Sequence, residues 1–583
     1  MPISRVDPVD DAVIDADGSE QSPAATVTLW CERVAFAVIA LVVITYIWRV
    51  VTLDWTAAGD LSVIRLRALD VGTTNTPLVG AYSRFKWNHP GPSLSFAFAP
   101  WARLFGTSGV GILVGAFVVN LGSMAAAAWV ARRASKVLFL LVSIALAAFV
   151  LLEQSGELFN PWNPFVILLP LFAALLAAWG TYAGDRVAAV VLVIAASFAM
   201  QGHIGAAPLA VLALLIGAAG LVVGIVRGQG EQRRRMMITS AIAAGALFVC
   251  WLPPLIDQLF DSGNFGHIVR FQFDTTEPSA GLRFAIDQVT RLLTFPPGRA
   301  VGFLGVVGTG PVVPWMALVL AVVTVVAWRR GWRDRLRLAV VAWASIAVTT
   351  LAIAGIRGVA FQYVFRWSWA MVLVVWIACA WIGVSLLLDL APVRRWFGAG
   401  ASVILTALAL VLLIGGVSFR TVQGWDAQLQ LYEPVIGPTL DVLRDAPEPV
   451  LVVTYLGLAD GTVANELLAR GDEMGIDLRR TPDLRFVFGS GRSIDPADAR
   501  SELVLVTQGE IEQYRNDPRF RLIAHFDPLT AAERIEYESL LARYRGREGD
   551  TTPDPDLQRY RFLAENPDEL WVYYADTPPV VVR

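Results

Sequence analysis

Polar side chains that could bind a ligand lie between apolar segments long enough to cross a membrane. The stretch KWNHPGPSLSF, residues 86–96, places Asn88 and His89 between two such segments, where their side chains offer hydrogen-bond donors and acceptors. Pro90 and Pro92 interrupt regular helix and leave backbone carbonyls free. Such a stretch suits either a turn that lines a binding pocket or a rigid junction between a loop and a helix.

The neighbouring loops add further ionisable side chains at the edge of the apolar segments. Three of the four histidines, His89, His203 and His267, fall in these loops. Ionisable groups at membrane depth are costly unless a site uses them. A divalent metal site built from these histidines and an acid such as Glu157 or Asp257 stays open, although no local i, i+4 ligand pair is present.

Membrane helices are the elements that must position these residues. The chain has 583 residues, 55% of them hydrophobic and 17% charged, and its mean hydropathy is +0.56, far from the soluble globular average. Runs near the ~20 residues that cross a bilayer predict a polytopic α-helical membrane protein with about eleven transmembrane helices. The runs lie at 34–51, 109–131, 137–152, 164–182, 187–200, 206–226, 237–254, 311–328, 338–354, 367–388 and 398–416.

Charge and cysteine content exclude two classes of protein. The net charge is -3 and no basic run contains interleaved aromatic residues, so we expect no nucleic-acid partner. Cys31 precedes the first predicted span, and Cys250 and Cys379 lie within spans. The cysteines therefore cannot staple an extramembrane domain with a disulfide.

The distribution of basic residues predicts the orientation, because loops rich in arginine and lysine stay cytoplasmic. Residues 1–33 are acidic, have little to bury and lack the basic start of a signal peptide, which predicts a disordered cytoplasmic tail. Everything after about residue 417 is then extracytoplasmic. The basic residues of the alternate loops are Arg132, Arg133, Lys136, Arg186, Arg227, Arg233, Arg234, Arg235, Arg329, Arg330, Arg333, Arg335, Arg337, Arg394 and Arg395.

Residues 417–583 have the composition of an extracytoplasmic α/β domain. PVLVVTYL and SELVLVTQ are β-branched runs of strand length, and TAAERIEYESLLARYRG has helical spacing. Their alternation predicts a small sheet covered by helices. YLGLADGT lacks the spacing of a dinucleotide-binding loop, so we do not place the chemistry in this domain.

Two motifs of the loop after the first predicted span, residues 54–96 and here called the first outward loop, together carry a family resemblance. Asp60 in GDLSVIRLRA, followed by NHPGPSL from Asn88 to Leu94, resembles the membrane-embedded GT-C glycosyltransferases. That superfamily includes protein O-mannosyltransferases, aminoarabinose transferases, and actinobacterial arabinofuranosyl- and mannosyltransferases. The resemblance covers a catalytic domain at 34–416. Leu61 stands where many relatives carry a second acid, and Gly91 where they carry a second proline.

The resemblance implies transfer of a sugar from a polyprenyl-phosphate donor to an envelope glycan, lipid or protein acceptor. Such a reaction, on the outer face of the cytoplasmic membrane, needs a base for the acceptor hydroxyl and positive charge for the departing phosphate. Asp60 is the implied general base, with Asp54 and Asp70 as alternatives.

Outward polar and aromatic residues are the substrate-binding candidates. Guanidinium groups can grip phosphate oxygens in pairs, although each basic side chain could instead snorkel to lipid headgroups. Trp162 offers an apolar face for a sugar or an anchor at the membrane interface. The candidates are Arg84, Lys86, Asn88, His89, Trp162, His203, Asp257, Arg270, Arg357 and Tyr363, and Arg366 is a further outward cation.

Two other functions remain alternatives at this point. A transporter or flippase of lipid-linked glycans would favour charges inside the spans and an internal repeat, and neither is evident in the sequence. A non-catalytic scaffold that binds envelope polymer would leave Asp60 without a purpose.

Overall fold

The computed structural model describes residues 59–389 and 427–579 with short gaps, and scattered residues between 44 and 57. The predicted tail 1–33, most of the predicted span 34–51, the span 398–416, the domain boundary near 417 and Asp54 lie outside the described residues. The gaps are 107–108, 154–155, 295–311, 456–457, 508–510, 546–553 and 565–568.

Helices cover the nine predicted spans that lie within the described residues. Six of the described helical segments are long and apolar enough to cross a membrane, and three shorter apolar helices coincide with the remaining runs. The helices are α1 Asp60–Leu69, α2 Ser93–Leu104, α3 Val110–Ala134, α4 Lys136–Glu153, α5 Gly156–Phe159, α6 Asn163–Val166, α7 Leu168–Tyr182, α8 Arg186–Gly202, α9 Ala207–Arg227, α10 Gly230–Phe260, α11 Asn264–Asp274, α12 Gly281–Leu292, α13 Trp315–Arg329, α14 Arg333–Ala354 and α15 Trp369–Leu388.

Helix α7 lies at the centre of the membrane domain. Its sequence, LLPLFAALLAAWGTY, is apolar on every side, and a helix of this kind is buried all round. It packs against α3, α8 and α9. At one end of the bundle, ion pairs such as Arg133 with Asp185 (2.5 Å) and Arg330 with Asp389 (2.9 Å) join the arginine-rich loops.

Helix α10 continues through two prolines past residue 254, where the predicted span 237–254 ends, so Asp257 lies in a helix and not in a loop after that span. Pro254 has no N–H to donate to the Cys250 carbonyl four residues earlier. The side-chain Nε2 of Gln201 donates to that carbonyl instead, at 2.7 Å. The helix therefore runs on to Phe260 and carries Asp257 in its last turn.

A five-stranded sheet forms the core of the C-terminal region, as its sequence predicts. The strand order is β2-β1-β3-β5-β4, with β1 parallel to β2 and β3, and with β5 antiparallel to β3 and β4. A capping box between Thr530 and Glu533 begins α20. The elements are α16 Ala427–Leu443, β1 Val450–Thr454, α17 Leu458–Met474, β2 Leu478–Arg479, α18 Arg485–Phe488, β3 Ser501–Val506, α19 Ile511–Arg515, β4 Arg521–Phe526, α20 Ala531–Tyr544, α21 Pro555–Ala564 and β5 Leu570–Ala575.

Helix α1 contributes to the cores of both parts of the molecule. Leu61 and Ile64, three residues apart and so on one helix face, belong to the core of the membrane domain. Val63 and Leu66, on another face, belong to the core built around the C-terminal sheet. The helix that begins with Asp60 is therefore held between the two.

Candidate active site

Asp60 begins α1, and two side chains from other loops hold its carboxylate. Gly59, with a left-handed φ of 52° that favours glycine, turns the chain into the helix. The Tyr82 hydroxyl donates a hydrogen bond to Oδ1 of Asp60. The indole N–H of Trp162 donates to Oδ2 at 3.0 Å. These two hydrogen bonds fix the orientation of the Asp60 carboxylate. They occupy two of its about four lone-pair sites, so the carboxylate can still accept a proton.

The surroundings of Tyr82 keep its phenol protonated. Burial raises the pKa of Tyr82, and the negative charge of Asp60 raises it further. The hydroxyl therefore remains a donor to the carboxylate throughout the physiological pH range.

A small cavity opens beside the Asp60 carboxylate. Its volume of about 30 Å³ holds water rather than a hexose, so a sugar can enter only if the walls move apart. One wall, Val487, belongs to the C-terminal domain. The lining residues are Asp60, Val63, Ile64, Arg67, Val79, Gly80, Ala81, Tyr82, Leu94, Ser95, Asn163 and Val487.

An aromatic row leads from Asp60 to a surface arginine. The ring centroids of Trp162 and Tyr363 lie 4.8 Å apart, and Tyr363 stacks on Phe361 at 5.6 Å. The Arg84 guanidinium lies 5.0 Å from the centre of the Phe361 ring. Aromatic faces of this kind suit the apolar side of a sugar, and the row ends at a positive charge.

Arg84 and Lys86 lie at the tip of a short hairpin closed by the bridge between Tyr82 and Asn88. Nη2 of Arg84 donates to the Val359 carbonyl at 2.6 Å, and among the described residues the hydrogen bonds of this guanidinium involve Nη2 only. Lys86 is exposed and has a left-handed φ of 62°. The hairpin thus presents two cations to solvent.

The other basic candidates have different surroundings. Nη2 of Arg357 donates to the Gln272 carbonyl at 3.2 Å. Arg366 packs its guanidinium 5.5 Å from the centre of the Phe165 ring. Arg270 is exposed on α11, where it lines an open groove with apolar residues of α10 and α11. The Arg84 guanidinium contacts the aromatic row that begins at Asp60, through the Phe361 ring.

Asn88 and His89 are buried and join the first outward loop to its neighbours. Asn88 exchanges two hydrogen bonds of 2.8 Å with Asn264, and its Nδ2 donates to the Phe486 carbonyl of the C-terminal domain at 2.7 Å. Nδ1 of His89 accepts the backbone N–H of Ile204 at 3.2 Å. These contacts favour a positioning role for both residues.

Gly91 shows why the second proline of the family motif is missing. A Cβ at this position would lie 2.4 Å from Oε1 of Gln201, whose side chain is buried. A proline ring would therefore displace Gln201, which already donates to the Cys250 carbonyl.

Asp257 and Asp70 have structural partners. Oδ2 of Asp257 accepts the backbone N–H of Asn264 at 3.0 Å, and Oδ1 accepts the Ser262 hydroxyl at 2.6 Å. Asp70 lies at the far end of α1, where Nη1 of Arg492 contacts both carboxylate oxygens at 2.7 Å. Asp70 is thus a buried ion-pair partner, which leaves Asp60 as the better base.

Two histidines approach each other without forming a metal-ligand set. The rings of His89 and His203 lie 4.6 Å apart, and Nδ1 of His203 accepts the Gly205 N–H at 3.1 Å. Within the described ranges, no group of three or more histidine, cysteine or acidic side chains could hold a metal ion. The side chain of Glu157 lies outside those ranges.

Sequence reasoning missed Tyr82 and Arg67. Tyr82 has no local spacing signal, because 22 residues separate it from Asp60. Arg67 follows Asp60 by seven residues, a spacing that returns to the same face of a helix. Helical periodicity in DLSVIRLRAL could therefore have placed Arg67 beside the cavity.

These features define a polytopic membrane protein with an aspartate site beneath a C-terminal α/β domain. The fold is similar to the crystal structure of ArnT from Cupriavidus metallidurans bound to undecaprenyl phosphate, with a TM-score of 0.50 and 12% identity over 86% of this chain and 96% of that chain. This similarity confirms the membrane fold predicted from the sequence, which the chain shares with that ArnT structure.

Two further solved structures align over most of the chain. ArnT from the same organism in the apo state gives a TM-score of 0.46 and 14% identity over 85% of this chain and 96% of that chain. The Archaeoglobus fulgidus oligosaccharyltransferase in complex with Zn and sulfate gives a TM-score of 0.38 and 11% identity over 91% of this chain and 86% of that chain. No family model and no curated protein match the chain.

Proposed function

We propose that the protein transfers a sugar from a polyprenyl-phosphate donor to an envelope glycan, lipid or protein acceptor at the outer face of the cytoplasmic membrane. The observation that carries the proposal is the Asp60 carboxylate, which Tyr82 and Trp162 hold in a cavity between the outward loops and the C-terminal domain. The lipid in the ArnT structure, undecaprenyl phosphate, is a molecule of the proposed donor class.

Asp60 acts as general base in this proposal. Its carboxylate accepts the proton of the acceptor hydroxyl as the hydroxyl oxygen attacks the anomeric carbon. The bond between that carbon and the phosphate oxygen breaks, and its electron pair leaves with polyprenyl phosphate. A single displacement of this kind inverts the configuration at the anomeric carbon.

Outward cations stabilise the departing phosphate. Arg84, at the end of the aromatic row, is the first candidate because its guanidinium has donors beyond the Nη2 contacts. Lys86 follows Arg84 by two residues, and the Arg357 carbonyl accepts from Nη2 of Arg84 at 3.3 Å. Arg270 lines the apolar groove beside α11. We assign the polyprenyl chain to that groove, since Phe273 and Phe265 line it and are exposed.

Transfer by the purified protein tests this function. We expect one member of a panel of radiolabelled polyprenyl-phosphate sugars to be consumed, with equal amounts of inverted glycoside and polyprenyl phosphate formed. Translocation of the intact lipid-linked sugar across a vesicle membrane, without cleavage, would contradict the proposal and support a flippase.

A further inference from the structure

We propose that the C-terminal domain positions the general base, and that Asn465, Glu466 and Arg492 are positioning residues for Asp60. This inference rests on the proposed function, because it takes Asp60 as the reactive group. The domain is then a structural part of the active site.

The first contact lies directly before the carboxylate. Nδ2 of Asn465, on α17, donates to the backbone carbonyl of Gly59 at 3.2 Å. Gly59 has the left-handed φ that starts α1, and Asp60 follows it. A side chain of the C-terminal domain therefore holds the peptide unit that sets the direction of the Asp60 Cα–Cβ bond.

A second contact involves Ser62, two residues after Asp60 on α1. Oγ of Ser62 lies 2.9 Å from Oε2 of Glu466, which is fully buried. Nε of Arg470 donates to the other oxygen of Glu466 at 2.7 Å. Burial raises the pKa of Glu466, while Arg470 opposes the shift. Glu466 is thus anchored within its own domain and contacts α1 through Ser62.

The far end of α1 is fixed by a chain of ion pairs in which Asp70 and Arg492 are buried. Asp70 accepts from Arg492, whose Nη2 lies 3.0 Å from Oδ1 of Asp472 on α17. Arg67 links the same region, since its Nη1 donates to Asp70 at 2.9 Å and to the Phe488 carbonyl at 3.2 Å. Removing one partner of a buried pair leaves an uncompensated charge and is strongly destabilising locally.

Both ends of α1 are therefore hydrogen-bonded to the C-terminal domain, whereas the two partners of its carboxylate lie on loops between the membrane helices, and one of them, Tyr82, also packs its ring against Phe486. Tyr82 comes from the first outward loop and Trp162 from the second. A tilt of α1 would change the distances from Asp60 to both donors and to a bound acceptor. A misplacement of about 1 Å can reduce a rate about 100-fold.

Arg492→Gln tests the inference, with Arg534→Gln as the matched control. Arg534 is also a partly buried arginine of the C-terminal domain, and its ion pair with Asp527 involves no residue of α1. We expect kcat for transfer to fall about 10- to 100-fold in Arg492→Gln with little change in the KM for donor. Arg492→Lys should restore part of kcat, and the control should keep the wild-type kcat.

If Arg492→Gln does not fold, Asn465→Ala tests the positioning role, because this substitution removes one hydrogen bond and no charge. We expect a decrease in kcat of about tenfold with the wild-type unfolding temperature. Wild-type kcat in Asn465→Ala, or equal losses in Arg492→Gln and its control, would overturn the inference. Asp60→Asn distinguishes the proposed base from the proposed positioning role. Full activity of Asp60→Asn would refute Asp60 as the base. If Asp60→Asn is inactive while the positioning variants are fully active, only the positioning role is refuted.

Discussion

At the scale of single residues, the account depends on how Asp60 is held. A surface aspartate would rotate freely, but here one oxygen accepts from a phenol and the other from an indole N–H. Hydrogen bonds to a charged group contribute about 1.5–3 kcal/mol each. Two such bonds leave the carboxylate one orientation toward the cavity, which is the preorganisation that a general base needs.

Tyr82→Phe removes one of these bonds and keeps the ring. We expect kcat to fall about 10- to 100-fold, as follows from the loss of a hydrogen bond to a charged group, while binding of the lipid donor changes little. Steady-state kinetics with the best donor measures both quantities. Tyr182→Phe, at the arginine-rich end of the bundle, is the control, and equal kcat values in the two variants would contradict the role of Tyr82.

At the scale of elements, the first outward loop is a packed structure that joins three others. Asn88 bonds to α11 and to the C-terminal domain, and His89 bonds to the residue that begins the turn before α9. The imidazole is therefore a backbone hydrogen-bond acceptor. Its burial indicates that it organises the loop on which Tyr82 lies.

The pH dependence of stability tests this role of His89. Burial, together with nearby His203, lowers the pKa of His89 well below 6.5. His89 of the unfolded chain therefore binds a proton near pH 6.5, whereas His89 of the folded protein stays neutral there. The contribution of neutral His89 to the free energy of unfolding is complete above that pH and is lost as the pH falls. His89→Asn keeps an acceptor near Nδ1 and cannot be protonated.

We expect the unfolding temperature of wild type to drop by a few degrees more than that of His89→Asn between pH 7.5 and pH 5. Thermal unfolding of the purified protein in one detergent measures the difference. His267→Asn, which changes an exposed histidine of α11, should follow wild type. Identical pH profiles for wild type and His89→Asn would show that His89 is not a buried neutral group.

Element types were readily predicted because apolar periodicity and run length determine them. The strand runs PVLVVTYL and SELVLVTQ and the capped helix at 531–544 lie where the sequence placed them. The end of α10 was not predictable, because the prolines indicated a break. Only the position of Gln201 on another helix, which satisfies the Cys250 carbonyl, explains why the helix continues.

At the scale of the whole molecule, the arrangement separates a basic end from a reactive end. Ion pairs join the arginine-rich loops at one end, while Asp60, the outward loops and the C-terminal domain pack together at the other. The arginine pattern predicts that the reactive end faces away from the cytoplasm.

Reporter fusions test this orientation. An enzyme active only in the cytoplasm should be silent when fused after residue 583, and a reporter active only outside should be strongly active. The reciprocal pair of fusions within the turn 330–332, between α13 and α14, should give the opposite result. A strongly active cytoplasmic reporter at the C-terminus would reverse the orientation and the proposed location of transfer.

The sequence could not predict which side chains meet around Asp60, and the reason is physical. Trp162 lies 102 residues from Asp60, and Asn465 lies 406 residues from Gly59. No periodicity encodes such distances, because they follow from the packing of complete helices. The sequence could place Asp60 and Trp162 on the same side of the membrane, but could not show that they bond.

Asp60→Asn is the most direct test of the central claim. The substitution keeps the shape of the side chain and removes its ability to take a proton, so we expect a 10²- to 10⁴-fold loss of transfer, the contribution typical of general-base catalysis. Single-turnover transfer from the donor that wild type consumes measures this loss, with Asp441→Asn, at an exposed aspartate of α16, as a folded control that keeps wild-type activity. Near-wild-type turnover by Asp60→Asn, with donor binding intact, would contradict the assignment of Asp60 as the base.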